Sequence, residues 1–407
     1  MALGLRPVEL SGKLGAPSSQ DAADVRAGGC AATLMNADRD DAALGGMTIL
    51  AVATTSSLVE LPAIGLDELD RISNLDRHRA EDTNRPPDRM SPLANMPPVQ
   101  AGRHIGGGKD ATGRYAPSPT GTLHLGNLRT ALLAWLFARS QGARFVMRID
   151  DLDRGRVRPG VAEQQLADLA ALGLDWDGPV VHQSQRTQHY ADAIDRLDGD
   201  GALYPCFCTR AEIRHAASAP HGAHPDGSYP GTCRELTRAQ RAARDAAGRP
   251  PALRLRAGAA RVAFADRLLG PREGVVDDLV VRRNDGVPAY NLAVVVDDTA
   301  AGIGEVVRGA DLVETTPRQL HVAARLGVAA PAYAHVPLVL GADGARLAKR
   351  HGAVTLADRV AAGESPTQVR ASLARSVGLA TAGETPTLDE LLHRFDPSVL
   401  PTEPTVL

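Results

Sequence analysis

The first group of residues that could do chemistry lies in a turn leading into a helix. Residues 117–127 place His124 and Gly126 directly before a stretch whose apolar residues have helical spacing. Backbone N–H groups at a helix N-terminus bind phosphate, and a glycine there permits close approach. We therefore expect the phosphates of a nucleotide to lie against His124 and the first turn of this helix. Taken alone, the pattern is also typical of an ordinary strand-to-helix turn with a surface histidine.

A basic loop at residues 345–353 forms the second group. It contains Lys349 and Arg350 and follows an apolar segment at residues 337–340. Their positive charges could stabilise the charge that develops on a polyphosphate in a transition state. Without further context, a solvated basic loop is the alternative.

Three of the four cysteines, Cys206, Cys208 and Cys233, form the third group. Such crowding in a chain of this length favours a metal site over a disulfide. Zinc requires four ligands in a tetrahedron, so a fourth residue is needed. Buried cysteines without a metal are the alternative, and Cys30 takes no part in this group. The histidines within the segment are the general candidates for the fourth ligand: His215, His221 and His224.

The elements that must position these groups follow an α/β pattern. Apolar residues at 128, 131, 132, 135 and 136 predict a helix that Gly142 ends, and residues 144–149 predict a strand. A strand, a turn, a helix and a strand in this order form a βαβ unit, and hence a parallel sheet. Residues 286–296 predict another buried strand that ends at Asp297 and Asp298, and residues 337–340 a further one.

After residue 350 the sequence predicts helices. Ser365 is a typical N-cap followed by a proline at the first helical position, and residues 387–390 match a capping box. We expect about two helices between this point and Leu407, and no additional domain.

The first 109 residues differ from the rest of the chain. No Phe, Trp or Tyr occurs before Tyr115, and the segment has no sustained hydrophobic periodicity. Large rings dominate core burial, so we expect no good core in this part. We interpret residues 1–109 as a disordered or misannotated extension, with Met90 or Met96 as an alternative start.

Charge and hydropathy exclude several classes of protein. The 407 residues carry a formal net charge of −3, with 43% hydrophobic residues, which excludes a wholly disordered chain. Residues 234–267 hold nine arginines against three acidic residues, a local excess of 9 − 3 = +6. The charge-free run at residues 42–59 is too polar for a transmembrane helix or a signal peptide. We therefore expect a cytoplasmic protein that does not enter the membrane.

Taken together, the motifs resemble those of the class I aminoacyl-tRNA synthetases for glutamate and glutamine. Residues 114–127, Arg-Tyr-Ala-Pro-Ser-Pro-Thr-Gly-Thr-Leu-His-Leu-Gly-Asn, are similar to the signature of that family. Residues 147–153, Met-Arg-Ile-Asp-Asp-Leu-Asp, resemble its Arg-x-Glu-Asp-x-Asp segment. Residues 347–351, Leu-Ala-Lys-Arg-His, resemble a drifted Lys-Met-Ser-Lys-Ser loop, with Ala348 and His351 in place of the two serines.

The resemblance implies a Rossmann-type catalytic domain that condenses glutamate with ATP, with Mg²⁺, to glutamyl-adenylate. His124 and Lys349 would be catalytic. Asp150 stands where the family has glutamate, so its pairing with the substrate ammonium is a departure. The implied ATP-binding residues are His124, Gly126, Asn127 and Lys349. The implied glutamate-binding residues are Arg114, Tyr115, Ala116, Pro117, Ser118, Asp150, Tyr290 and Arg308.

One branch of the family is also similar in its metal ligands. Its pattern Cys-x-Cys…Tyr-x-x-x-Cys implies one zinc per chain, with Tyr229 as the fourth ligand beside the three cysteines.

The implied organisation is an α/β protein with a Rossmann-type parallel-sheet catalytic domain, a zinc-containing insertion and a short helical C-terminal part. After the extension, the segments are 110–205 and 286–345 for the two halves of the catalytic domain, 206–285 for the insertion, and 346–407 for the basic loop and C-terminal helices.

About 55 residues follow the basic loop, too few for the anticodon-binding domain of a full glutamyl-tRNA synthetase. The chain thus resembles the truncated branch of the family, ligases that activate glutamate without tRNA and transfer it to queuosine in the anticodon of tRNA(Asp). We expect the same activity here, in a monomer. A minimal glutamyl-tRNA synthetase that charges the 3′ end, and a catalytically inactive RNA-binding paralogue, are the alternatives.

Overall fold

The computed structural model describes residues 51–54, 57–60, 99–100, 112–217, 228–341, 343–345, 347, 352 and 354–406. The chain divides into two compact units, Met1–Ser91 and Pro92–Leu407. In the first unit, strand β1 (Ala51–Thr54) pairs antiparallel with β2 (Ser57–Glu60). Most of residues 1–109 lies outside the described residues, so the expectation of a coreless extension stays a prediction.

The second unit contains α-helices and strands in alternation. Its strands are β3 (Val99–Gln100), β4 (Gly113–Tyr115), β5 (Phe145–Ile149), β6 (Val181–His182), β7 (Leu203–Cys206), β8 (Ala252–Leu255), β9 (Ala260–Asp266), β10 (Gly270–Val276), β11 (Val280–Arg282), β12 (Glu305–Gly309), β13 (Ala332–Val336), β14 (Val339–Leu340) and β15 (Thr405–Val406). Its helices are α1 (Leu125–Arg139), α2 (Val161–Ala171), α3 (Thr187–Gly199), α4 (Arg210–Ala217), α5 (Arg238–Ala246), α6 (Tyr290–Ala300), α7 (Thr316–Leu326), α8 (Leu356–Ala361), α9 (Pro366–Arg375) and α10 (Leu388–Arg394).

A parallel sheet forms the centre of this unit. Strands β4, β5 and β6 pair in parallel, and so do β12 and β13. A parallel bridge between Thr112 and Ile303 joins the two groups, so the order is β6-β5-β4-β12-β13. This is the 3-2-1-4-5 order of a doubly wound sheet, whose ligands bind where the order reverses, at the carboxyl ends of the first and fourth strands. The predicted Rossmann-type parallel sheet is therefore confirmed.

The predicted βαβ unit is also confirmed. Helix α1 lies between β4 and β5 and is buried around most of its circumference. The strand approaches the helix so closely that a Cβ at Gly113 would lie 2.7 Å from the Cβ of Ala138. Because helix and strand lie so close, Leu128, Leu132 and Phe145 are fully buried between them and form part of the hydrophobic core.

The predicted strand at residues 286–296 is wrong, because residues 290–300 form helix α6. Leu292, Val294 and Val295 are all buried, as are Asp297 and Asp298. A helix buried on several sides gives a continuous apolar run, which periodicity alone cannot distinguish from a buried strand. The run of β-branched valines favoured the strand, but tertiary burial decided the outcome. The strand predicted at residues 337–340 is reduced to β14, and β13 before it is the long strand.

The segment at residues 206–285 is shared between two sheets. Strands β7, β8 and β11 form a separate antiparallel sheet. Strands β9 and β10 form a hairpin that extends the central sheet, where Asp266 pairs with Tyr333 of β13. Strand β3 adds to the same hairpin through Val99 opposite Val262.

Both predicted C-terminal helices are present as α9 and α10. Ser365 and Thr387 each cap their helix through a reciprocal capping box. The described part of this region holds a third helix, α8, which Thr355 caps in the same way. No helix in the described ranges is long and apolar enough to span a bilayer.

Candidate active site and metal centre

A cavity of about 590 Å³ opens at the reversal point of the sheet. It lies beyond the carboxyl ends of β4 and β12, between the turn before α1 and the segment after β13. Lys349 lies outside the described residues, although its neighbour Leu347 lines the cavity. Every other predicted substrate contact lines it: Arg114, Tyr115, Ala116, Pro117, Ser118, His124, Gly126, Asn127, Asp150, Tyr290 and Arg308.

The N-terminus of α1 is built around His124. The His124 Nδ1 atom accepts from the backbone N–H of Asn127 at 3.2 Å, and the Asn127 side chain accepts from His124 N at 3.2 Å. This capping box leaves the Nε2 atom of His124 available for a ligand. Burial lowers the pKa of His124, so the ring is neutral at pH 7 unless an anion binds there.

The same turn is attached to the segment after the basic loop. The backbone N–H of Leu125 donates to Val354 O at 2.7 Å, and His124 forms a bridge with Thr355. Because Leu347 on the other side of the loop also lines the cavity, both described ends of the basic loop lie at the mouth of the site.

Arg114 is neutralised by a carboxylate of the protein. Its Nε and Nη2 atoms donate to the two oxygens of Asp298 at 3.3 and 3.4 Å. Arg148 donates to the same carboxylate at 2.6 Å and to Asp150 at 2.7 Å. Burial raises the pKa of Asp298, but the charges of Arg114 and Arg148 outweigh burial, and the pKa lies below its ordinary value.

For Asp150, burial has the largest effect on the pKa of the carboxyl group. Desolvation raises its pKa in spite of the charge and the hydrogen bond of Arg148. The sequence assigned a role in glutamate binding to Asp150 but none to Arg148 or Asp298. The fold brings these two residues together from β5 and α6. Two adjacent aspartates at the end of a buried apolar run were the signal for Asp298, because buried carboxylates are paired.

Arg308 has a different environment, although it is buried as completely as Arg114. No carboxylate among the described residues lies within ion-pair distance of it, and burial lowers its pKa. Unlike Arg114, its buried guanidinium therefore has no ion pair within the described part of the chain, an arrangement that suits an anionic ligand. Its donors reach neutral acceptors: His335 Nε2 at 3.0 Å, Gln319 Oε1 at 2.7 Å, Thr316 Oγ1 at 2.7 Å and Leu312 O at 3.3 Å.

The remaining predicted residues form the walls of the cavity. Tyr115 is buried and donates to Asn127 O at 3.1 Å. Tyr290 begins α6 and is 43% exposed, so its ring lies at the rim of the cavity. Gln165, which the sequence did not indicate, holds the turn by donating to Ser118 O at 3.1 Å.

The three cysteines and Tyr229 converge between β7 and the segment before α5. The sulfur atoms of Cys206, Cys208 and Cys233 lie within 4.8 Å of one another. The Tyr229 hydroxyl lies 3.4 Å from the Cys206 sulfur and 3.9 Å from the Cys208 sulfur. Tetrahedral zinc with a sulfur ligand at 2.3 Å and an oxygen ligand at 2.0 Å separates these atoms by about 3.5 Å. The four side chains therefore fit a single zinc ion.

The histidine candidates are less suited to this position. His221 and His224 lie outside the described residues, and His215 is exposed on α4, whereas Tyr229 is 2% exposed. The Tyr229 oxygen also accepts from the backbone N–H of Cys233 at 2.7 Å. A hydrogen bond of this kind stabilises a phenolate ligand.

The sheet order, the cavity at its reversal point and the capped turn that carries His124 define a nucleotide-binding catalytic domain of the doubly wound α/β class. The sequence profile described as the catalytic domain of class I tRNA synthetases (E and Q) matches residues 111–400. The chain therefore belongs to the class I glutamyl- and glutaminyl-tRNA synthetase family, which confirms the resemblance seen in the motifs.

Individual relatives are similar over most of their length. A glutamyl-Q tRNA(Asp) synthetase from Nocardia farcinica is 62% identical over 295 residues, which cover 72% of this chain and 92% of that protein. The protein of the same name from Symbiobacterium thermophilum is 52% identical over 304 residues, covering 72% and 94%. A glutamate tRNA ligase from Elizabethkingia meningosepticum, solved in complex with its amino acid, superimposes with a TM-score of 0.64 at 26% identity, covering 73% of this chain and 67% of that one.

Proposed function

We propose that this protein activates L-glutamate with ATP and transfers the glutamyl group to the cyclopentenediol of queuosine in the anticodon of tRNA(Asp). The observation that carries the proposal is the 62% identity to a relative named for this activity. The cavity supports it, because the described residues predicted to bind glutamate and ATP all line one space.

In the first step, the α-carboxylate of glutamate attacks the α-phosphorus of ATP and pyrophosphate leaves. The beginning of α1 and the Nε2 atom of His124 contact the phosphates, and their fixed dipoles favour the developing negative charge. Lys349 would approach from the basic loop, whose described ends lie at the cavity. Mg²⁺ bound with ATP would neutralise part of the polyphosphate charge.

In the second step, a hydroxyl of the queuosine diol attacks the activated carbonyl and AMP leaves. The ester bond forms as the mixed-anhydride bond breaks, and the hydroxyl proton passes to the departing phosphate or to water. A vicinal diol at the 3′ end of tRNA would react by the same chemistry.

Glutamate itself is bound through its charges. Arg308 contacts the side-chain carboxylate, because among the arginines that line the cavity it is the one that forms no ion pair with a described carboxylate, whereas Arg114 and Arg148 both pair with Asp298. Asp150 contacts the ammonium group, which would replace part of its interaction with Arg148. A carboxyl group whose pKa is raised by burial gains a favourable interaction when a second cation arrives.

Zinc is the metal that the cysteine cluster would hold, as one ion per chain with the phenolate of Tyr229 as the fourth ligand. Its role is structural, because four protein ligands leave no open position for a substrate. The free cysteines suit a reducing compartment, which supports a cytoplasmic location.

The surface that contacts tRNA includes helix α5. Six of the nine arginines in residues 234–267 are buried or paired with carboxylates, among them Arg254 and Arg267. The other three, Arg238, Arg241 and Arg244, lie on α5 and have no carboxylate within ion-pair distance among the described residues. Arginines of this kind contact phosphates and position the RNA without reading its sequence.

The test separates activation from transfer. ATP–pyrophosphate exchange that depends on glutamate and proceeds without tRNA would support the first step. Radiolabelled glutamate is then supplied with tRNA from queuosine-containing and queuosine-free cells, each with and without its 3′-terminal adenosine. Label that requires queuosine and survives removal of the adenosine supports the proposal. Label that follows the adenosine would instead identify a minimal glutamyl-tRNA synthetase, and silence in both assays an inactive RNA-binding paralogue.

A further inference from the structure

We propose that Asp266 and His335 are positioning residues for Arg308 and thereby set the preference of the cavity for a side-chain carboxylate. The inference rests on the proposed function, because it takes glutamate as the substrate. Neither residue belongs to the motifs that indicated the site, and neither lines the cavity.

The three side chains form one continuous hydrogen-bonded path. The Asp266 Oδ2 atom lies 2.6 Å from His335 Nδ1, and His335 Nε2 lies 3.0 Å from the Nε atom of Arg308. The guanidinium can only donate, so Nε2 must accept and the proton of the neutral ring must be on Nδ1. Asp266 accepts that proton in a hydrogen bond and so fixes the tautomer.

His335 is enclosed completely, so the ring cannot turn to another arrangement. The rings of His335 and Tyr333 are stacked with their planes 5° apart, and the guanidinium of Arg308 lies 5.1 Å from the centre of the Tyr333 ring. Burial lowers the pKa of His335, in agreement with a neutral ring that accepts from Arg308.

The path explains why Arg308 is anchored through an imidazole. A carboxylate placed directly on the guanidinium would neutralise it, as Asp298 does for Arg114. The imidazole holds the Nε side of Arg308 without adding a negative charge, while Asp266 stays one ring further away. The guanidinium therefore has a fixed orientation and keeps its charge for the substrate.

The contacts of Asp266 allow a nearly isosteric test. Its Oδ1 atom accepts from the backbone N–H groups of Leu268 and Leu269 at 3.0 and 2.9 Å, and its Oδ2 atom faces the imidazole. The backbone N–H of His335 donates to both oxygens, at 3.3 and 3.2 Å. In Asp266→Asn the amide oxygen, at the position of Oδ1, can keep the hydrogen bonds from the backbone N–H groups of Leu268, Leu269 and His335, while the NH2 group faces Nδ1. The imidazole then carries its proton on Nε2, directly opposite the donor of Arg308. Asp285→Asn is the matched control, because Asp285 also accepts from a turn N–H but is exposed and outside the cavity.

The experiment measures glutamate-dependent ATP–pyrophosphate exchange, with glutamine as the competing substrate. For Asp266→Asn we expect the KM for glutamate to rise about 10- to 100-fold, as for loss of a hydrogen bond to a charged group. The KM for ATP should stay within about 2-fold of wild type, and the ratio of kcat/KM for glutamate over glutamine should fall by about the same factor as glutamate binding, because an amide does not use the charge of Arg308.

A second variant keeps the test decisive if Asp266→Asn does not fold. In His335→Gln the amide oxygen can still accept from Arg308, so we expect a smaller rise in the glutamate KM than in His335→Leu. A folded Asp266→Asn or His335→Leu with wild-type KM and wild-type discrimination would overturn the positioning role. If the wild-type protein itself shows no glutamate-dependent exchange, the proposed function fails first, and the role of Asp266 and His335 with it.

Discussion

Replacing Arg114 or Arg308 by methionine should affect two different properties of the protein. Both arginines are buried and both line the cavity. In Arg114→Met, the buried carboxylate of Asp298 loses one of its two cationic partners and keeps Arg148 at 2.6 Å. In Arg308→Met, the guanidinium that is removed has no ion pair among the described residues, so none of their carboxylates loses an ion-pair partner.

The magnitudes follow from this difference. Breaking a buried ion pair by removing one partner costs about 3 kcal/mol, which lowers the Tm of a folded unit of this size by about 6 °C. In Arg308→Met, the lost hydrogen bonds are offset by removal of the desolvated charge, and the Thr316 hydroxyl, 3.2 Å from His335 Nε2, can satisfy that atom. We expect a change in Tm of at most about 2 °C, but a loss of glutamate affinity of about 100-fold or more, because the substrate carboxylate is left buried without its partner.

The assays are thermal unfolding and the KM for glutamate in ATP–pyrophosphate exchange. Arg261→Met is the control, because Arg261 is exposed and pairs with Glu273 at the surface, so neither quantity should change measurably. An equal fall in Tm for Arg114→Met and Arg308→Met would show that the assignment of charges is incorrect. An unchanged glutamate KM in Arg308→Met would move the carboxylate site elsewhere.

Four other outcomes are expected. A chain beginning at Met96 keeps β3 and should fold and exchange pyrophosphate normally, which loss of activity in that variant would contradict. Arg238→Ala should weaken tRNA binding and reduce the slope of log K against log[salt] by about 0.7–0.9, with exchange unchanged; an unchanged slope would exclude α5 as a phosphate contact. Elemental analysis should find one zinc per chain, and Tyr229→Phe should bind it more weakly while His215→Ala should not; full retention in Tyr229→Phe would refute the phenolate ligand. Burial lowers the pKa of His321 to about 4, so the unfolded chain takes up a proton below about pH 6.5 that the folded protein does not; stability should fall by up to about 3 kcal/mol between pH 6.5 and 4, and urea titrations of His321→Phe should show a smaller fall.

The sequence was informative where function depends on neighbouring residues. The turn at residues 117–127 that leads into α1, the N-cap at Ser365 and the capping box at residues 387–390 each lie within a few positions, and all are present as predicted. The four metal-ligand candidates lie within one segment, and the structure brings Cys206, Cys208, Tyr229 and Cys233 together. In these cases the local pattern and the tertiary fold favour the same arrangement.

The sequence was uninformative where partners lie far apart along the chain. Arg114 and Asp298 are separated by 184 positions, and Arg148 and Asp298 by 150. No local pattern distinguishes a neutralised arginine from one with its charge available, so Arg114 and Arg308 looked equivalent. Helix α6 was missed for the same reason, because burial against distant elements produced the valine run that indicated a strand.

The cysteine cluster and Arg308 are connected through helix α7. The backbone N–H of Tyr229 donates to Asp277 at 3.0 Å, and the other oxygen of Asp277 accepts from Arg318 at 2.8 Å. The next residue, Gln319, accepts from Arg308 at 2.7 Å. Both contacts sit on the first turn and a half of one helix, which moves as a unit because its backbone hydrogen bonds are local. Zinc held by Tyr229 would therefore also restrain Gln319, the acceptor of Arg308, so a metal centre with no open coordination position would act on the orientation of Arg308.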